Sequence, residues 1–410
     1  MKRIFCVALV LMFLLTGCHL PFMEPVATEP IISEATETPT DLPTEAPTEA
    51  TEGPVEKLPP AYEQQTMYAI SMPTVTHREF APDGTAVFQY AYQDMFLSIP
   101  EQDIADCIIV EYLNRIDAYS ELTEEYSTNA QTMYSAGNGW MEHYYNVYYS
   151  PTRIDQEVLS LYGIRSSYTG SRPVQVCTAI NYSMLTGDVL TLGSILRHID
   201  SKALLVELVT EKAAAIEEDA QLFGDYADYI AERFDREESF DEDWYFSEIG
   251  LCFYFSPYEI APYSSGIIIL EVPYSELTGI ISDEFFPPEE EEMTGVLCAK
   301  LYSDTETAGF TQTTTVTLAE TGEEILLYAD GAILNVRIET GHFTEHNAFI
   351  PECTVFASNS LTPGDCIILK TDIPDTIPNL KITYASGSEE YSVYLLQSGF
   401  DGSVLLSELP

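Results

Sequence analysis

The chain has 410 residues, of which 17 are Lys or Arg and 66 are Asp or Glu, giving a formal net charge of −49. A protein this acidic repels a phosphate backbone, so the composition excludes a nucleic-acid partner and favours cations or basic proteins. The 27 tyrosines and 19 phenylalanines supply enough large apolar side chains for two or three domains with substantial cores.

The first residues predict export. Lys2 and Arg3 precede an apolar run, 4–15, which is shorter than the roughly 20 residues that span a bilayer and is typical of a secretory signal. The sequence LTGC, ending at Cys18, resembles a lipobox, so we expect removal of residues 1–17 and lipidation of Cys18. The alternative is an ordinary signal peptide with a chance cysteine. The lipid would hold the protein on the outer, extracellular face of the cytoplasmic membrane, which is then its first partner.

Residues 18–60 predict an extended stalk. The stretch TETPTDLPTEAPTEATEGP combines repeated prolines, like charges and few apolar side chains, so it has no means of burying a core.

Cysteines give no metal or redox motif. Of the eight, Cys6 leaves with the signal and Cys18 is lipidated, and no C-x-x-C pair occurs. The other six are Cys107, Cys177, Cys252, Cys298, Cys353 and Cys366. We expect the first four to be small core residues. The last two form the closest pair in sequence, and because export permits disulfides, a disulfide between them is an alternative.

Residues 61–172 predict an N-terminal α+β domain. Alternating apolar residues over 86–92 indicate a strand, and Ile99-Pro100 introduces a helix with a stripe of apolar side chains. That stripe consists of Ile104, Ile108, Tyr112, Ile116 and Tyr119. The segment HYYNVYYS then reads as a strand with one solvated face.

Residues 173–287 predict a second α+β domain. A strand at 176–182 leads into two helices, expected at 194–219 and 225–237, after which alternating residues at 251–255 and 266–272 indicate two more strands. Segregated strands and helices favour an antiparallel sheet with helices packed on one face.

This second segment resembles a known family. The phrases INYSMLTGDVLTLGSIL, DEDWYFSEIGLCFYFSPYEIAPYSSG and IIILEVPYSEL look like the extracellular domain shared by the lysozyme-sensing anti-sigma factor RsiV and the peptidoglycan deacetylase PdaC. Residues 71–149 resemble the smaller domain that usually accompanies it. The resemblance implies a recognition module that contacts lysozyme or accompanies wall chemistry. The chain departs from these proteins because it has neither a sigma-binding segment nor deacetylase metal motifs.

Three aromatic side chains within this resemblance are candidates for ligand contact. Tyr258, Tyr263 and Trp244 belong to residue types favoured at interfaces and on sugar-binding surfaces. The competing interpretation is that Pro257, Tyr258, Pro262, Tyr263 and Gly266 form a rigid turn between two core strands.

Beyond an acidic linker at 288–294, residues 295–410 predict an all-β domain. Eight short strands without a helix favour a β-sandwich. The sequence does not distinguish a partner-binding role from a spacer.

Catalytic signatures are absent from the sequence. There is no G-x-S-x-G, phosphate-binding Gly-rich loop, dinucleotide fingerprint or H-E-x-x-H. His342, Glu345 and His346 would need a helix to converge on a metal, and their neighbours indicate strand and loop. The acidic stretch 235–243 lacks the spacing of a calcium loop. We therefore expect no metal and no cofactor.

The sequence favours a non-catalytic surface binding module for a lysozyme-like protein or a cell-wall glycan. Two alternatives stay open: a cell-wall-modifying hydrolase with an unrecognised site, and a passive structural or adhesive surface protein.

Overall fold

The computed structural model describes residues 67–137, 141–235, 243–288, 294–302, 309–319, 321–344, 348–373, 378–397 and 403–408. The predicted signal peptide, Cys18, the stalk and most of the acidic linker lie outside these residues. Residues 59–410 form one compact unit. Within the described ranges, no helix is both long and apolar enough to cross a membrane.

The first sheet has five strands, in the order β2-β3-β5-β6-β7. Its strands are β2 (Thr74–Phe80), β3 (Ala86–Gln93), β5 (His143–Ile154), β6 (Val158–Tyr168) and β7 (Val174–Ser183), and helix α1 (Gln102–Ser135) connects the parallel pair β3 and β5. The predicted stripe faces this sheet, because Ile108, Tyr112 and Ile116 are buried against it.

The predicted domain boundary at 172/173 falls in the turn of a hairpin. Strand β7 pairs with β6 along its length, from Val174 opposite Ser167 to Ser183 opposite Val158. The alternating residues after this turn therefore form another strand of the first sheet.

The second sheet is small and carries helices on one face. It consists of β8 (Trp244–Phe246), β9 (Gly250–Phe255) and β10 (Ile268–Pro273), in the order β10-β9-β8, and is antiparallel throughout. The helices are α2 (Leu192–Ile195), α3 (Ser201–Ala215), α4 (Glu217–Ala220), α5 (Tyr226–Asp235) and α6 (Tyr274–Leu277). Apolar residues of α3 and α5 share one core with the sheet, which confirms the predicted α+β class.

The single helix predicted over 194–219 was wrong. Leu196 ends α2 in an extended conformation and bridges to Ile281, and α3 begins only at Ser201, whose hydroxyl accepts the backbone N–H of His198. An extended residue breaks the helical hydrogen bonds, so one apolar pattern is divided into separate helices.

The opposite face of the small sheet packs on β6 and β7. Tyr162, Cys177, Tyr245, Cys252 and Tyr254 form this buried cluster. The prediction that cysteines fill core positions holds for Cys177 and Cys252. It was wrong for Cys107, which is exposed because it lies on the outer side of α1.

Burial also sets thiol reactivity, since only the thiolate attacks alkylating reagents. Desolvation, with the nearby Glu271 charge, raises the pKa of Cys252 to about 12, and desolvation raises the pKa of Cys177. We expect iodoacetamide at pH 8 to modify Cys107 first and to leave Cys177 and Cys252 unmodified in the folded protein, as measured by peptide mass spectrometry. The same protein in urea is the control, where all of them should react. Rapid native labelling of Cys252 would contradict this burial.

The third region is a pair of sheets around one core. The smaller has the order β11-β13-β16-β12, and the larger has the order β19-β18-β17-β14-β15-β1-β4. Their strands are β1 (Ala69–Ser71), β4 (Phe96–Ser98), β11 (Leu297–Leu301), β12 (Gln312–Thr317), β13 (Glu323–Ala329), β14 (Ile333–Phe343), β15 (Phe349–Leu361), β16 (Asp365–Thr371), β17 (Leu380–Ser386), β18 (Glu389–Gln397) and β19 (Val404–Ser407). Both sheets contribute to one apolar cluster, in agreement with a sandwich-like arrangement.

Two strands of the larger sheet come from the beginning of the chain. Ala69–Ser71 pair with Phe356–Ser358 on one side and with Phe96–Ser98 on the other. The larger sheet is therefore completed by residues that the sequence analysis assigned to the N-terminal domain.

Candidate binding site

Two tyrosines stand out on the loop between β9 and β10. Tyr258 and Tyr263 keep 60% and 56% of their surface exposed, and their ring centroids lie 5.7 Å apart with the planes tilted by 31°. Most tyrosines of the neighbouring strands are buried. The exposed pair is therefore a candidate contact surface for a partner.

The loop beneath the tyrosines is tied to helix α5. The Glu259 carboxylate accepts hydrogen bonds from the backbone N–H of Ser256, from the Tyr229 hydroxyl at 3.2 Å and from Arg233 Nη1 at 2.6 Å. The backbone N–H of Phe223 also donates to the Ile260 carbonyl at 2.9 Å. The loop is thus held by its own backbone and by a buried side-chain network.

Arg233 is the centre of that network. Its side chain is only 7% exposed, and its guanidinium pairs with Asp243 at 2.7 Å and with Glu259 at 2.6 Å and lies 5.1 Å from the centre of the Phe255 ring. Burial alone would lower the pKa of Arg233, but hydrogen bonds and charge from Asp243 and Glu259 outweigh it and raise the pKa. Arg233 therefore stays charged and clamps the ends of two loops together.

Tyr258 adopts a backbone conformation that L-residues rarely use. Its φ is +76°, and its N–H donates to the Ala261 carbonyl at 3.0 Å across a tight turn. A non-glycine residue here costs of the order of 1 kcal/mol, and such strain clusters at functional sites. The loop keeps a bulky aromatic side chain where glycine would fold more easily.

This strain predicts that a glycine at position 258 stabilises the protein. Replacing Tyr258 by glycine is expected to raise the free energy of unfolding by about 1 kcal/mol, because glycine adopts positive φ without a Cβ clash and the lost side chain is mostly solvated. Urea unfolding measures this. Tyr258→Ala is the matched control, because it removes the ring and retains the unfavourable φ. Equal stability of the glycine and alanine variants would contradict the strain.

The prediction that Trp244 contacts a ligand was wrong. It is fully buried, and its ring meets Phe246 edge-on at 5.3 Å in the core beneath helices α3 and α5. A side chain with no exposed surface has no access to a ligand, so Trp244 supports the fold.

The histidine cluster does not form a metal site in the described part of the chain. His342 lies on β14 with its Nδ1 2.9 Å from a Glu352 carboxylate oxygen, while Glu345 and His346 lie outside the described residues, as do 236–242 of the acidic stretch. Among the residues that are described, no three His, Cys, Asp or Glu side chains converge to hold a metal ion.

The loop and its clamp lie within a segment that matches a described family. Residues 198–275 match the family "Protein of unknown function (DUF3298)". The chain carries a DUF3298 domain. Arg233, Glu259, Tyr258 and Tyr263 all belong to this domain, so the candidate surface is part of it.

Solved DUF3298 proteins resemble part of the chain. A family member from Bacteroides fragilis is 16% identical with a TM-score of 0.41, covering 52% of this chain and 94% of its own. A family protein from Pseudomonas aeruginosa is 16% identical with a TM-score of 0.36, covering 54% of this chain and 97% of its own. No curated protein matches the chain. The more specific resemblance to RsiV and PdaC stays a prediction.

Proposed function

We propose that this protein is a lipid-anchored, extracellular binding protein whose DUF3298 domain contacts a lysozyme-like protein through Tyr258 and Tyr263, without catalysing a reaction. One observation carries the proposal: the two tyrosines are exposed side by side on a loop that a buried ion-pair network holds in place. The membrane anchor rests on the sequence around Cys18.

Preorganisation supports this role. Tyrosines contribute much of the binding energy at protein interfaces, and each loop or side chain that must be ordered on binding reduces affinity. Here Glu259, Arg233 and the Tyr258 turn fix the loop before a partner arrives. The pair therefore presents aromatic surface at little entropic cost.

The charge of the chain favours a basic partner. With a net charge of −49, the protein attracts a cationic protein over distances of about one Debye length, which speeds association and makes it sensitive to salt. This favours lysozyme over an anionic wall polymer. A neutral glycan is the second candidate, because two neighbouring tyrosine rings also offer faces on which sugars stack.

The test uses calorimetry with the soluble chain from residue 19 onward, titrated with lysozyme and separately with peptidoglycan fragments, at two salt concentrations. Saturable lysozyme binding that survives moderate salt is expected. Tyr258→Ala and Tyr263→Ala should each weaken it by at least about tenfold, as interface anchors do. Tyr391→Ala, at a 36% exposed tyrosine of β18, is the matched control and should bind normally.

Each alternative has its own outcome. Saturable binding of glycan but not of lysozyme would mean that the ligand is a sugar. Release of soluble products from peptidoglycan would mean that the protein is a hydrolase. The absence of any saturable ligand would leave a passive surface protein. Lysozyme binding unchanged in both tyrosine variants would place the interface elsewhere.

The anchor is tested separately in the producing cell. Full-length protein is expected to incorporate radiolabelled palmitate and to lose residues 1–17, whereas Cys18→Ala should do neither. Palmitate incorporation into Cys18→Ala protein, or none into the unchanged protein, would overturn the lipoprotein assignment.

A further inference from the structure

An open groove of about 490 Å³ lies beside the turn between β8 and β9, where the small sheet approaches β5 and β14. The buried side chains of Tyr245 and Cys252 line it, together with two isoleucines that stay exposed, Ile249 at 62% and Ile269 at 44%. No residue of the tyrosine loop lines this groove. An apolar group that enters it is removed from water together with the exposed surface of both isoleucines, which favours binding.

Glu271 places a carboxylate in the same groove. It lies two positions from Ile269 on β10, so the two side chains share one face of the small sheet. Its Oε1 accepts a hydrogen bond from the Ser247 hydroxyl at 2.6 Å and lies 3.6 Å from the Cys252 thiol. In the described part of the chain no cation pairs with Glu271. Its Oε2 accepts no hydrogen bond there and is not sealed from solvent, so a ligand has access to it.

Arg337 also lines the groove, but it is already engaged. Its Nε and Nη2 donate to Glu248 Oε1 at 3.2 and 2.6 Å. Its Nη2 also donates to the Thr152 carbonyl at 3.0 Å, and its Nη1 donates to the Pro151 carbonyl. The charges of Arg337 and Glu248 cancel, so Glu271 leaves the groove with one net negative charge. A cation that enters is therefore attracted, whereas an anion is repelled.

Strand β10 offers a free backbone edge beside these side chains. It is the outer strand in the order β10-β9-β8, and among the described strands none pairs with its other edge. An extended polypeptide pairs with such an edge through main-chain hydrogen bonds, and its alternate side chains then lie beside those of the edge strand. On the face that lines the groove those neighbours are Ile269 and Glu271. An apolar residue and a basic residue two positions apart would match them.

We propose that this groove binds an extended segment of a basic protein, with a lysine or arginine side chain on Glu271 and an apolar side chain against Ile249 and Ile269. The aliphatic stem of the basic residue packs on apolar surface while its charged head reaches the carboxylate. The net charge of −49 attracts such partners to the surface of the protein. The groove is separate from the tyrosine loop, and its occupant does not depend on lysozyme being the partner of that loop.

The experiment is calorimetry on the soluble chain from residue 19 onward with three probes. The first is acetyl-Val-Thr-Val-Thr-Lys-Thr-amide, whose valines and lysine share one face when the peptide is extended. The second replaces its lysine by norleucine, which keeps an aliphatic stem without the charge, and the third is cadaverine, an amine without a peptide backbone. The lysine peptide is expected to bind with a dissociation constant at or below about 1 mM, and the other two at least about tenfold more weakly.

Two outcomes with these probes would overturn the proposal. If the lysine peptide binds no more tightly than the norleucine peptide, the carboxylate does not select a cation. If cadaverine binds as tightly as the lysine peptide, the occupant is a free amine and not a polypeptide.

Variants locate the binding. Glu271→Gln keeps an acceptor for the Ser247 hydroxyl but removes the charge, so it should weaken the lysine peptide at least about tenfold and leave the norleucine peptide unchanged. Glu323→Gln is the matched control, because it removes one negative charge at an exposed residue of β13 that does not line the groove. Ile249→Ser should weaken both peptides. Full affinity for the lysine peptide in folded Glu271→Gln protein would overturn the site. Tyr258→Ala should retain peptide binding, so the two proposed sites fail independently.

Discussion

Replacing Arg233 by methionine is expected to lower the free energy of unfolding of the DUF3298 domain by about 3 kcal/mol. The substitution keeps much of the apolar length but removes the positive charge that pairs with Asp243 and Glu259, leaving two largely buried carboxylates without their cation. Breaking a buried ion pair from one side costs about 3–5 kcal/mol, and the partial exposure of both acids places the effect at the lower end.

Urea unfolding followed by tryptophan fluorescence measures this, because Trp244 is in the core of the same domain. Arg197→Met is the matched control: its ion pair with Asp283 is exposed on both sides, so its loss should change stability by less than about 1 kcal/mol. The Arg233 variant should also lose affinity at the tyrosine loop, since Glu259 would no longer be clamped. Equal stability of the two variants would contradict the clamp.

Replacing Trp244 by alanine is expected to cost about 3–5 kcal/mol of stability, which is typical when a large aromatic side chain is removed from a core. Its indole nitrogen has no hydrogen-bond partner among the described residues, so Trp244→Phe, which keeps most of the ring volume, should cost much less. Because these substitutions remove the tryptophan that reports on this core, thermal unfolding by far-UV circular dichroism measures both.

The same two variants test whether Trp244 is a core residue or a contact residue. We expect Trp244→Phe to bind lysozyme with the affinity of the unchanged protein. A stable Trp244→Ala variant with weakened binding would restore Trp244 to the contact surface and contradict its burial.

Local structure was predictable because it depends on side-chain periodicity. The stripe on α1 and the strands after 295 were predicted from apolar periodicity, and the structure shows them. The strand at 251–255 was also predicted, although both of its faces are buried. Within the described residues one C-terminal strand was missed, Val404–Ser407, which is only four residues long. A strand that short carries too few alternations to be recognised.

The candidate site was predicted only in part, for a different physical reason. Tyr258 and Tyr263 were identified from residue type and an adjacent family resemblance, but the same criteria selected Trp244, because residue type does not report burial. The Arg233 clamp was missed because its partners lie on separate loops. The one available signal was an arginine within an otherwise acidic helix and loop, where a buried partner pair is the natural explanation.

The insertion of β1 between β15 and β4 has a consequence for how the chain folds. The backbone of Tyr68, beside β1, bonds to Asn359, 291 positions later, so the pairing of β1 with β15 can form only after most of the chain has been made. Contacts this distant in sequence slow folding, because the loop must close before the pairing compensates for it. Because the chain is synthesised from its N-terminus, Met67 and Ala69 lack most of the apolar cluster that buries them until the C-terminal strands have been made. Chain termination before β15 should therefore yield an aggregation-prone fragment, and folding should follow completion of the chain.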